Sequence, residues 1–190
     1  MRPGDVLFLP ALRLPRLADQ WGADAASAPE EMLVGADAER EQAAAREEAS
    51  RLLQPLIAKG VKVVFEAPKP IFRAPSFRCS DWFNRNNPAC RPGLEISRDS
   101  MLDFRRPVLN SMLALAKEQQ GIYVWDPFDL LCPDAMCKAV VDGKPLFLDG
   151  DHVSEQANHV LYPDFVAFLR MVRGASAATA EAAGEVGGRR

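Results

Sequence analysis

The 190-residue chain is 48% hydrophobic and 26% charged, with a formal net charge of -3, the balance of one ordinary globular domain. Its 23 Lys and Arg are scattered and outnumbered by 26 Asp and Glu, so it offers neither a basic field for nucleic acid nor a polybasic membrane anchor. No apolar run approaches the roughly 20 residues needed to cross a bilayer. Met1-Arg2-Pro3-Gly4-Asp5 leads into an apolar stretch that is too short for an export signal and is broken at Pro10.

Asp5 to Leu9 is a continuous apolar run of strand length, closed by Pro10. A long Ala- and Glu-rich stretch, about Ala36 to Ala58, follows as a predicted helix, with Leu52, Leu53, Leu56 and Ile57 gathered at its end and Pro55 disturbing its last turn. Val61 to Glu66 is a second strand, after Gly60 and before Pro68. From Arg98 or Asp99, the residues Met101, Phe104, Val108, Met112 and Leu115 recur at three- and four-residue intervals. That is the apolar stripe of a helix, with Asp99 the expected N-cap and Gly121 the expected stop. Ile122 to Trp125 is a third strand, and a last helix starts at Ser154-Glu155, is interrupted at Pro163 and reaches about Val172.

Strands of nearly unbroken Val, Ile, Leu and Phe suit a parallel sheet covered on both faces, and their alternation with helices predicts an α/β layered domain. The Ala/Gly-rich end is expected to be a disordered tail over 174–190, leaving 1–173 as the domain. Two long irregular stretches, Pro68 to Ser97 and Asp126 to Asp149, remain, and each holds one pair of cysteines. Loops of such length in a compact domain are usually functional or stapled.

The pairs are Cys79 with Cys90 and Cys132 with Cys137. Four cysteines allow three connectivities, and the sequence-local one closes two compact loops. Neither pair has the C-x-x-C spacing common among zinc ligands. Disulfides, free structural thiols and a metal site are the three readings, with disulfides in front. Disulfides imply an oxidising compartment, whereas a chain without an export signal would be placed in the cytosol.

Asp149 and His152 are the candidate catalytic residues. Acyl transfer by a serine needs a base for the hydroxyl proton, held in one tautomer by a carboxylate. An Asp three residues before a His, on a turn from an extended segment into a helix, can bring both side chains to one place. Ser154 is the expected N-cap of that helix. A D-x-x-H alone is a weak signal, equally at home in a solvated acidic turn. Read as a calcium loop from Asp149, the sixth position is Ser154 and the twelfth is Val160, where Gly and Glu are required. His152 and His159 are seven apart with only Asp149 and Asp151 near, so a metal site has no further support, and His159 reads as a surface or packed helix residue.

The surrounding blocks add specificity. Pro145-Leu146-Phe147-Leu148-Asp149-Gly150-Asp151-His152-Val153-Ser154, followed by Asn158-His159-Val160-Leu161-Tyr162-Pro163, resembles the last block of SGNH domains. More specifically, it is similar to the periplasmic SGNH hydrolase-like domains fused behind membrane acyltransferases of family 3, which O-acetylate bacterial surface polysaccharides. Three further blocks fit that pattern: Gly4 to Arg13, Pro68 to Cys79, and Trp125-Asp126-Pro127-Phe128-Asp129-Leu130-Leu131-Cys132. Together they cover most of residues 4 to 170.

The resemblance implies that Asp149 and His152 are acid and base and that both cysteine pairs are periplasmic disulfides. Its implied partners are an acyl donor, a glycan acceptor and the membrane acyltransferase domain, with no cofactor, metal or nucleic acid. It supplies no nucleophile, because the family's Gly-Asp-Ser block does not occur in the sequence. In a flavodoxin-like strand order the three strands here become the third, fourth and fifth. The expected fold is therefore an incomplete three-layer SGNH/flavodoxin-like sheet, lacking the first one or two strands and the nucleophile turn. Ser76, Ser80 and Ser97 are expected in loops and are poor substitutes for a serine on a strand-to-helix turn. Arg13, with Gln20, is a candidate for lining the substrate site, and Arg73 and Arg78 for contacting an anionic glycan. The leading expectation is an inactive fragment of an SGNH O-acyltransferase or esterase domain acting on acyl esters of surface glycans. The alternative is a non-catalytic glycan-binding or interaction module on the same framework.

Overall fold

The computed structural model describes residues 1–10, 36–84 and 86–186. In chain order the elements are β1 (Val6–Leu9), α1 (Ala36–Ala58), β2 (Lys62–Glu66), α2 (Ser76–Cys79), β3 (Glu95–Ser97), α3 (Arg98–Glu118), β4 (Ile122–Trp125), α4 (Phe128–Leu131), β5 (Met136–Lys138), β6 (Val140–Val141), β7 (Lys144–Pro145) and α5 (Glu155–Val186). Two 3-10 turns, Trp82–Asn84 and Pro88–Cys90, sit between α2 and β3.

The three apolar runs form one parallel sheet in the order β1-β2-β4. Phe8 is paired with Val64, and Val64 with Tyr123. All five residues of β2 are buried, as expected of a central strand covered on both faces. Its side chains alternate between two cores. Val63 and Phe65 pack with Leu53 of α1 and with Val108, Met112 and Leu115 of α3. Val64 faces the other way, into a cluster with Trp125, Phe128, Leu161 and Val172. Period-two alternation on β2 thus produces the three layers, with α1 and α3 on one face and α5 on the other. Among the described residues, β1 pairs only with β2.

Several boundaries differ from expectation. The first two strands begin one residue later, at Val6 and Lys62. The N-cap of α3 is Ser97, whose side chain accepts from the Ser100 amide, and Asp99 falls in the first turn. There its charge still favours the helix start, because free amides point that way. Pro55 stays inside α1, which continues to Ala58. The last helix runs past Val172 to Val186; its distal part is Ala-rich, the best helix former, and holds no proline.

The two irregular stretches are organised against each other. β3 and β5 pair antiparallel, with Ile96 opposite Cys137. Asp142 and Gly143 both have positive φ, 50° and 73°, the requirement of the tight two-residue turn that joins β6 to β7. Both expected disulfides are present, Cys79–Cys90 and Cys132–Cys137. The second is fully buried and joins the end of α4 to β5. No helix among the described residues is long and apolar enough to cross a membrane.

Two outcomes follow for the staples. Thiol titration of denatured, unreduced protein made in an oxidising compartment finds no free thiol, and four free thiols would contradict the pairing. Replacing Cys79 and Cys90 together by Ser frees an 11-residue separation and lowers the urea unfolding free energy by about 3 kcal/mol, the loop-entropy value for a ring of that size.

Candidate active site

The segment from Leu146 to Ser154 doubles back on itself. Phe147 and Val153 form an antiparallel bridge. The Leu148 amide donates to the His152 carbonyl at 2.8 Å, and the Ser154 amide donates to the Leu146 carbonyl at 2.9 Å. Asp149, Gly150 and Asp151 therefore form the tip of a closed turn. Ser154 leads out of it into α5, its hydroxyl accepting from the Ala157 amide at 3.3 Å. The expected N-cap is in place.

A second segment, Phe72 to Phe77, is fastened along this turn. The Phe72 amide donates to the Gly150 carbonyl at 2.8 Å and the Phe77 amide to the Leu148 carbonyl at 3.1 Å. Between them, the fully buried Ser76 hydroxyl donates to the Asp149 carbonyl at 3.0 Å. The approach is so close at Gly150 that a Cβ there would lie 2.2 Å from the Phe72 carbonyl oxygen. Only glycine fits, for want of room rather than for its backbone angles. The Phe72 and Phe147 rings, 5.1 Å apart, seal the contact from below.

Asp149 and His152 meet at the tip. Asp149 Oδ1 accepts from the amides of Asp151 and His152 at 3.0 and 2.9 Å. Its Oδ2 lies 2.8 Å from His152 Nδ1. Burial pushes the Asp149 carboxyl up, but the two backbone donors, then the imidazole hydrogen bond and charge, outweigh it and hold the group at about 2. A carboxylate ionised through the neutral range can only accept, so Nδ1 carries the hydrogen and Nε2 is left as the basic nitrogen. The side chains are about half exposed, 45% for His152 and 51% for Asp149. Such a pair adds little stability; its consequence is orientation.

The pair borders a cavity of about 560 Å³. It is lined by Phe8, Glu66 and Trp125 at the carboxyl end of the sheet and by Leu161 and Phe165 of α5. Open α/β sheets hold their ligands at this end, outside the carboxyl ends of the strands. Phe8, Trp125 and Phe165 form a three-ring cluster with centroids 4.6 to 6.2 Å apart. Trp125 Nε1 donates to Asp164 at 2.7 Å. Asp126, next in the chain, accepts from the buried Arg105 guanidinium at 2.6 Å and caps the Phe128 amide at 3.1 Å.

Sequence reasoning missed three contributors. Lys69 and Glu66, both nearly buried, form an ion pair at 2.6 Å in the cavity wall. Burying such a pair is rarely stabilising in itself. The charged Lys inside the Pro68-Lys69-Pro70 bend was the available clue. Asp151 is the third: its Oδ1 lies 3.1 Å from His152 Nδ1. Asp149, Asp151 and His152 each offer an atom within 4.8 Å of the others, close enough to hold a cation, but Nδ1 is already a hydrogen-bond donor.

The remaining candidates stand apart. Arg13 and Gln20 lie outside the described residues. Arg73 and Arg78 are exposed and do not line the cavity. His159 is exposed and pairs loosely with Glu155 at 3.7 Å. No described serine lines the cavity. Ser76 opens α2 and Ser97 ends β3, rather than lying in loops, and Ser80 donates to the Phe77 carbonyl at 2.9 Å.

A family model described as the SGNH domain fused to AT3 domains matches residues 13–167. No curated protein and no solved structure matches.

Two measurements check this geometry. Gly150→Ala forces the Phe72 carbonyl aside, so it lowers the melting temperature and moves the amide resonances of Phe72 and His152. A variant unchanged in both would refute the close approach. Carboxyl titration followed by carbon NMR places Asp149 at about 2, against an ordinary value of 3.8. Because the folded value is the lower, ionised Asp149 favours the fold above the ordinary range. That contribution fades as pH falls from 3.8 towards about 2, and Asp149→Asn removes this part of the pH dependence.

Proposed function

The chain belongs to the family of SGNH domains fused to AT3 domains, an esterase and acyltransferase type of fold, and on that premise we propose that Asp149 and His152 are the acid and base of acyl-ester chemistry. The observation that carries the reading is the carboxylate on Nδ1 of an imidazole that borders a cavity at the carboxyl end of a parallel sheet. His152 Nε2 takes the proton of a serine hydroxyl as the serine oxygen attacks the acyl carbonyl. The same proton passes to the departing alcohol, leaving an acyl-enzyme. A second hydroxyl, of a sugar or of water, then gives its proton to Nε2 as its oxygen takes the acyl group, and Nε2 returns that proton to the departing serine oxygen. Asp149 holds the ring and balances the positive charge that forms on it during each transfer.

The sequence contains no Gly-Asp-Ser block, and no described serine lines the cavity. On this reading the 190 residues contribute the acid–base half, and a serine supplied from outside them completes the site. The substrates are acyl esters of cell-surface glycans, with an acyl donor and a glycan acceptor. The setting is the periplasm beside a membrane acyltransferase domain, where the two disulfides are stable. Arg13, outside the described residues, remains the candidate for binding substrate. The missing serine also favours a second reading, a glycan-binding or interaction module without turnover.

Complementation separates the two. The chain alone hydrolyses a small acyl ester no faster than its His152→Ala variant. Co-expressed with a family segment bearing the Gly-Asp-Ser block, it gains turnover, which His152→Ala lowers by about 10³-fold or more, the scale seen when a triad histidine is removed. Turnover that survives His152→Ala would refute the role given to His152. Assembly of the two parts without any turnover would favour the binding module.

A further inference from the structure

His152 Nδ1 faces two carboxylates. Asp149 Oδ2 is 2.8 Å away and Asp151 Oδ1 is 3.1 Å away. The two acids differ in situation. Asp149 is half exposed, and its other oxygen is committed to two backbone amides that close the turn. Asp151 is largely covered, with 14% of its side chain exposed, so its oxygen meets the ring where less water competes for it. Both line the cavity beside the imidazole. The hydrogen bond from the ring runs to Asp149 Oδ2, and Asp151 Oδ1 lies close enough to attract the same N–H electrostatically.

We propose that Asp151 is a second positioning carboxylate for His152, so that either acid alone keeps the hydrogen of the neutral imidazole on Nδ1. The functional meaning rests on His152 being the base, but the tautomer does not. With a single carboxylate partner, replacing that acid by Asn turns an amide NH2 towards Nδ1 and selects the wrong tautomer. Here Asp151 remains to hold the hydrogen when Asp149 is replaced. The arrangement divides the labour: Asp149 closes the turn through Oδ1 and orients the ring through Oδ2, and Asp151 secures the ring from its covered side.

The test is nitrogen–proton correlation NMR on the full chain with labelled histidine at neutral pH, with His159→Gln identifying the two rings. Asp149→Asn keeps an oxygen for both backbone amides, so the turn persists. In the unsubstituted chain His152 shows the Nδ1–H pattern. Asp149→Asn retains that pattern. Asp151→Asn retains it too, with a shifted Nδ1 proton resonance. The double variant loses the pattern in favour of the Nε2–H form. Loss of the pattern in Asp149→Asn alone, or no movement of the Nδ1 proton in Asp151→Asn, would overturn the proposal. The second comparison stands even if Asp149→Asn fails to fold. None of these spectra needs turnover, so failure of the esterase reading would appear in the complementation assay and leave this result intact.

Discussion

The backbone clamp between Phe72–Phe77 and the 148–150 turn is the contact on which the rest of the site depends. A D-x-x-H turn has no intrinsic reason to stay in one shape: its side chains are half exposed and the pair between them is weak in water. What holds it is main chain to main chain. Two amides, of Phe72 and Phe77, and the buried Ser76 hydroxyl reach all three carbonyls of Leu148, Asp149 and Gly150. Gly150 lets the strands of this contact close, because any side chain would meet the Phe72 carbonyl. Two residues beyond Phe77, Cys79 is tied to Cys90 by a disulfide.

The clamp also links the site to the sheet. Phe72 follows β2 by a few residues, through the Pro68-Lys69-Pro70 bend whose lysine pairs with Glu66 at the strand end. The position of the imidazole is thus referred back to β2, the central strand, all five residues of which are buried. At the end of β4, Asp126 accepts from Arg105 of α3 and caps the Phe128 amide, and Trp125 lines the cavity. Both segments leave the carboxyl ends of the strands, where the cavity lies. Acid–base chemistry requires this kind of support, since an imidazole displaced by about 1 Å can lose a large part of its rate.

The sheet was legible because its signal is chemical and local. Val61 to Glu66 and Ile122 to Trp125 are apolar runs with Gly before and Pro or Asp after, and they are the strands within a residue. The α3 stripe from Met101 to Leu115 was equally plain. β3 and β5 were not visible, because three residues cannot display a period and their pairing is set by contacts 40 residues apart in the chain. Asp149 and His152 could be named from their spacing together with the neighbouring blocks. Nothing in the spacing showed that Asp151 also reaches the ring, or that Gly150 is required by the Phe72 carbonyl, because both depend on how the turn folds back. The Glu66–Lys69 pair was hidden for a related reason: a charged residue at a strand end reads as a boundary until the cavity above it is known.

Amide hydrogen exchange at Phe72 and Phe77 tests the central claim most directly, because those two donors are the clamp. If the turn is held as described, both amides exchange slowly, with protection approaching that of Val64 in β2, and Gly150→Ala removes that protection while leaving Val64 unchanged. Exchange of Phe72 and Phe77 at the rate of an open loop, in a chain whose Val64 remains protected, would show that the Asp149–His152 turn is not fixed by this contact and would contradict the account.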